Sequence, residues 1–227
     1  MSIVEGTSRE SSVSRPERAP HMSIGINHAH IFMGRESAAV RVSSKSTTPT
    51  YVHVSLHETG GKGEHPVQPD AQVSLAVTPG KFELAGGASR LVKLIPLDRS
   101  KEPGTERRFR LIFEEVAGPD GSQPQDRGVT WACVVSYRPE NLSGDPDAPL
   151  ESVVSADPPH LTLRNPSPCF AGVEEFRVNG KAVEDFEHRT ITPGGEISCE
   201  ATVEAGASLT WRYRTSEGRE HTGTATA

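Results

Sequence analysis

The sequence predicts an all-β protein built as two β-sandwiches in tandem, on three observations. Short runs of alternating apolar and polar side chains recur along the chain. Turns containing Gly and Pro separate these runs, and one Pro-rich stretch divides them into two series.

Composition supports this reading. The 227 residues fit two domains of about 100 residues each. The 21 Gly and 18 Pro suit many short elements joined by turns, and no window sustains a helical apolar stripe over three turns. A formal charge of −6 argues against a nucleic-acid partner. No apolar run approaches the ~18–20 residues that span a bilayer, so no membrane insertion is expected. The opening MSIVEGTSRESSVSRPERAPHM is charged and lacks the apolar centre of a secretory signal. Residues 1–21 read as a disordered tail, an expression remnant, or a start that misses the true leader.

The first series of runs gives a domain over residues 22–138. In the run 37–43, Ala38, Val40 and Val42 share one face; in the next, Val52, Val54 and Leu56 do. Runs follow at 72–77, 90–95 and 107–113, and the segment 129–137 is rich in β-branched and aromatic residues. About seven strands at this spacing fit an immunoglobulin-like sandwich. RPENLSGDPDAPLES, from Arg138, carries three prolines and makes 139–150 the expected linker. The second domain, 151–227, holds runs at 160–164, 170–178, 195–203 and 208–214 and a last run to about residue 225. Asn179-Gly180 marks a hairpin, because both central residues of a type I′ turn need positive φ.

Several segments, taken in order, resemble the periplasmic chaperones that assemble bacterial fimbriae, the PapD-like family. They are VTPGKFELAGGASRLVKL (77–94), ERRFRLIFEEV (106–116), Tyr137-Arg138-Pro139, LRNPSP (163–168) and RVNGK (177–181). Together with RVSSKS (41–46), they look closest to the alternate branch serving colonisation-factor and cable-type pili. The resemblance implies two immunoglobulin-like domains in an angular arrangement with a cleft between them. It also implies a periplasmic, non-enzymatic protein without a cofactor, whose partners are pilin subunits and an outer-membrane usher. A pilin subunit is a sandwich lacking its last strand; the chaperone supplies a strand and so pairs the open edges.

On this resemblance the donor strand is 128–137, with Val129, Trp131, Cys133 and Val135 on one face. Alternation alone does not choose the face. The domain's own core is the competing use of Cys133 and Val135, and Val129 and Trp131 are the expected partner-facing pair. The family's cleft cations would fall on Ala29 and Val134, neither of which is charged. Asn27, His28 and His30 stand beside the first position as candidate donors to a subunit carboxylate. Glu106 and Arg138 match an interdomain ion pair, and Arg214 stands where the family has a domain-two acid. Self-association through the donor edge is a further expectation.

Of the three cysteines, Cys169 and Cys199 are a candidate bridge within the second domain, with Cys133 free. His28 and His30 with His53 or His57 lack the acidic or thiol partners of a typical site, and no metal is assigned. The chain shows no Gly-rich phosphate loop, no GxSxG elbow and no thiol–imidazole pair suited to nucleophilic catalysis. The rival to a strand-donating chaperone is an adhesion or scaffold module on the same sandwich, which the polar loop 117–127 would suit.

Overall fold

Most of the alternating runs become strands in a computed structural model of the protein, which describes residues 23–34, 36–59, 75–97, 104–119, 121, 130–156 and 159–227. In the first half these are β1 (Ile24–Ile26), β2 (His30–Met33), β3 (Ala38–Ser44), β4 (Thr50–Glu58), β5 (Leu75–Thr78), β6 (Lys81–Leu84), β7 (Ser89–Pro96), β8 (Arg107–Val116) and β9 (Thr130–Tyr137). In the second half they are β10 (Glu151–Ala156), β11 (Pro159–Arg164), β12 (Ala171–Val178), β13 (Lys181–Ala182), β14 (Thr190–Ile191), β15 (Glu196–Glu200), β16 (Ser208–Thr215) and β17 (Glu220–Thr226). A single 3-10 turn, Glu184–Phe186, interrupts the strands among the described residues. No helix is long and apolar enough to cross a membrane.

The first half folds into two sheets, ordered β1-β3-β7-β5 and β2-β9-β8-β4-β6. Their inward residues, among them Val40, Val42, Val52, Val92, Leu94, Phe109, Leu111 and Phe113, form one buried core. The second half folds into β10-β11-β15 and β13-β12-β16-β17, with β14 also pairing β12. Its separate core centres on Leu161, Leu163, Phe176, Phe186 and Trp211. Two sheets closing over one core, twice, is the tandem sandwich read from the alternation. Each fully buried Leu or Phe contributes about 1.5–3 kcal/mol of apolar transfer.

Local chemistry explains the joints. Asn179 (φ 48°) and Gly180 (φ 78°) occupy the left-handed region and turn β12 into β13. Asn165, fully buried, donates from Nδ2 to the carbonyls of Cys169, at 2.7 Å, and Thr192, at 3.0 Å. Its Oδ1 accepts from the Ser167 backbone at 3.1 Å, so the Pro-rich turn is pinned where sheet bonds cannot reach. Between β9 and β10 the chain is tied to both halves. The Ser143 amide donates to the Gly104 carbonyl at 2.7 Å, and Ser167 Oγ donates to the Pro146 carbonyl at 2.9 Å.

Candidate functional site

A strand that ends a sheet presents unpaired N–H and C=O groups, and β9 does so over half its length. It pairs antiparallel with β8 throughout, from Arg107↔Tyr137 to Glu114↔Thr130. On its other side β2 runs parallel, but only against Val134–Tyr137. The Val134 amide donates to the Ala29 carbonyl at 3.0 Å, and the Arg138 amide to the Met33 carbonyl at 2.9 Å. Backbone groups alternate sides along a strand, so Thr130 and Ala132 aim theirs at the same side as Val134. There β2 has ended. Among the described residues no strand pairs with Thr130–Cys133 on that side.

Side chains of β9 divide by parity. Cys133, Val135 and Tyr137 are buried in the chain's own core. Trp131, half-buried, packs against that core and donates from Nε1 to the Ile24 carbonyl at 2.9 Å, tying β9 to the opposite sheet. The face expected to meet a partner is therefore spent on the protein's own sandwich, which corrects the expectation for Trp131, Cys133 and Val135. The reason is packing: these residues share a sheet face with Phe109, Leu111 and Phe113 of β8, and the core needs them. Thr130, Ala132 and Val134 point outward and are exposed. Val129 lies outside the described residues, as does the tail 1–21.

The outward face continues into the junction between the halves. One cross-strand row is Phe32, Ser136 and Arg108; the next is His30, Val134 and Arg110. Val134 thus lacks a charge, yet a cation stands directly across from it. His30 Nε2 and Ser136 Oγ share a hydrogen bond of 2.9 Å, and Ser136 is fully buried. The Arg108 guanidinium lies 4.3 Å from the ring centre of Phe170, which belongs to the second half. Such stacking is worth about 0.5–2 kcal/mol. Its Nε is buried without a hydrogen bond. Burial pushes Arg108 below its ordinary value, opposed by Glu106. His30 keeps an exposed edge, and partial desolvation, then the Arg108 charge, lower its imidazole from the ordinary value, with Glu106 pulling the other way. A cleft pocket of about 260 Å³ opens at His30, lined also by Phe32, Ser216, Glu217 and Gly218.

Of the three candidate carboxylate donors, only His30 lines this cleft. Asn27 accepts the Arg41 amide at 2.8 Å and so is committed to β3. His28 is exposed. His53 sits 3.6 Å from Glu114 and His57 bonds Ser55, and no group of three metal-ligating side chains occurs among the described residues.

Glu106 and Arg138 meet, as 3.3 Å from Arg138 Nη2 to Glu106 Oε2. The carboxylate has no exposed side-chain surface and also accepts from Ser216 Oγ at 2.6 Å. Arg138 donates to Glu217 at 2.5 Å and stacks 4.9 Å over Phe32. Glu217, not residue 214, supplies the acid from the second half, while Arg214 pairs with Glu174 and Glu220 on the surface. The Glu106 amide adds a bond to the Pro168 carbonyl at 2.8 Å. The two halves are pinned at one buried charge.

Cys169 and Cys199 are both free, as is Cys133. Cys169 sits on the pinned turn against Glu106, where burial and that charge push its thiol up to about 11. Cys199 lies in β15, opposite Leu161 of β11, so the expected bridge is not formed. Sequence reading also missed Arg108, Phe170, Ser216 and Glu217 as cleft residues. Arg108 was visible in principle, since the alternation of 106–116 puts Arg108 and Arg110 on one outward face.

No protein-family model matches the chain, and no curated protein matches it by sequence. Solved structures do match its shape. The class 5 fimbriae chaperone CfaA superposes with a TM-score of 0.69 at 20% identity, over 89% of this chain and 98% of its own. The chain has the two-domain fold of the fimbrial chaperones. The SafB chaperone of Salmonella enterica, solved in complex with the SafA pilin, matches at a TM-score of 0.63 and 17% identity, over 92% and 98% of the two chains. The E. coli chaperone DraB matches at 0.60 and 18%, over 90% and 95%.

Proposed function

We propose that this protein is a non-enzymatic chaperone that captures a strand-deficient pilin subunit by β-addition at β9 and passes it to an outer-membrane usher, in the periplasm. One observation carries the reading: on a fimbrial-chaperone fold, Thr130–Cys133 pair with β8 on one side and with no described strand on the other. An incoming strand gains main-chain hydrogen bonds at Thr130 and Ala132 and removes the liability of an open edge. The subunit's C-terminal carboxylate then enters the cleft at His30, which lines the pocket, whereas Asn27 is committed to the Arg41 amide and His28 is not part of the pocket lining.

The discriminating variant is Ala132→Pro. Its N–H points to the open side, so proline leaves the ladder with β8 intact and removes a donor needed only by the incoming strand. Loss of subunit co-purification with an unchanged far-UV spectrum supports the reading. Capture at the wild-type level contradicts it and favours an adhesion or scaffold module that donates no strand.

A further inference from the structure

We propose that the outward face of the sheet β1-β3-β7-β5 is a docking surface for a second protein, one that presents aliphatic side chains bordered by carboxylates. This goes beyond strand capture: β9 belongs to the other sheet, so the face lies across the first core from the open edge. An antiparallel sheet that buries one face gives polar side chains to water on the other. β7 does not. Val92 and Leu94 go inward, but Leu91 and Ile95 alternate outward with Lys93 and stay 47% and 37% exposed. Leu97, one step past the strand, is 61% exposed. The neighbours do not cover this strip, because Ala39 stands opposite Lys93 and Ala76 opposite Ile95. An aliphatic strip left in water and bordered by charge marks an interaction site.

Charge selects the occupant. Arg41 of β3 lies opposite Leu91, and Lys93 sits between Leu91 and Ile95. The Lys45 stem runs over Gly25 of β1, where an added Cβ would lie 3.1 Å from Lys45 Cε. No Asp or Glu is among the outward residues of these four strands. Arg41 donates to the Ser89 hydroxyl at 3.3 Å, which leaves its charge uncompensated. On a chain of net charge −6 this face is a local reversal of sign. It attracts an acidic partner within a Debye length of about 8–10 Å, while the net charge opposes approach to an anionic bilayer. A second copy docked face to face would bring the same cations together and be repelled. A protein whose aliphatic side chains seat on Leu91, Ile95 and Leu97 and whose carboxylates reach Arg41, Lys45 and Lys93 matches both the strip and its charges.

The test uses the full chain and two designed helical peptides of equal length, each with a Leu stripe, flanked by Glu in one and by Lys in the other. Leu and Ile methyl resonances are followed by NMR at low and at high salt. The proposal expects the Glu-flanked peptide to shift the Leu91, Ile95 and Leu97 methyls, the Lys-flanked peptide to leave them unmoved, and salt to weaken the binding. Lys93→Glu weakens it at least about fivefold, and Leu91→Thr about three- to tenfold. Both variants keep the wild-type far-UV spectrum, because the two side chains face solvent. Wild-type affinity in both variants, equal shifts from the two peptides, or no methyl shift on β7 overturns the proposal. Pelleting with phosphatidylglycerol vesicles, lost in Lys93→Glu, in place of the peptide shifts would assign the face to a bilayer and overturn the protein partner. Dimerisation lost in Leu91→Thr, again without peptide shifts, would assign it to a second copy and overturn the proposal equally. Strand capture at β9 stands or falls separately from all of these results.

Discussion

Replacing Arg138 with methionine keeps most of the side-chain stem and deletes the charge that neutralises Glu106. The Glu106 carboxylate has no exposed surface, and without the guanidinium it retains Ser216 Oγ at 2.6 Å as its hydrogen-bond donor. Removing one partner of a buried ion pair costs about 3–5 kcal/mol. The 3.3 Å separation and the 16% exposure of Arg138 put this case at the low end, about 3 kcal/mol. For a chain of this size that lowers the melting midpoint by roughly 6–12 °C. Urea unfolding followed by tryptophan fluorescence is a suitable assay, since Trp131 reports on the first half and Trp211 on the second. Glu106→Gln added to Arg138→Met removes the stranded charge and recovers about 1 kcal/mol or more, a non-additivity expected only of partners in contact. A loss below about 0.5 kcal/mol for Arg138→Met is the size of an ordinary surface change. That result would refute the claim that the halves are pinned at a buried charge.

Two further outcomes follow from the same physics. Glu58→Gln weakens a two-point pair, 2.8 Å and 2.5 Å from Arg107, at the end of the first core. With Arg107 only 9% exposed, the cost is about 2–3 kcal/mol by urea titration, and Glu58→Asp costs as much because its shorter carboxylate cannot reach both nitrogens. Thiol counting after denaturation without reductant gives three per chain; in the folded protein Cys133, pushed up to about 11 by burial, reacts slowly at pH 8. A count of one thiol would mean that Cys169 and Cys199 bridge after all.

The fold was legible because period-two alternation survives in strands that bury one face. Val40 and Val42, and Val52 and Val54, turned inward as their spacing demands. Strands too short to show a period escaped, such as β1 and β2, whose seven residues are placed by pairing partners far along the chain. The site was less legible. Alternation divides β9 into two faces but does not say which is inward, and only pairing beside Phe109 and Leu111 of β8, on the core face of the same sheet, settles that Cys133 goes in and Ala132 out. Junction residues from the second half, Phe170 against Arg108 and Ser216 and Glu217 beside His30 and Arg138, come together only through the way the two sandwiches meet, and local sequence does not encode that.

Amide hydrogen exchange at Ala132 tests strand capture most directly. In the free protein the Ala132 N–H faces the open side of β9, while those of Trp131 and Cys133 face β8. The account predicts fast exchange at Ala132 beside protected Trp131 and Cys133, and protection of Ala132 once a strand-deficient pilin subunit is bound. Exchange at Ala132 that remains fast in the complex would show that the subunit binds elsewhere and would contradict the account.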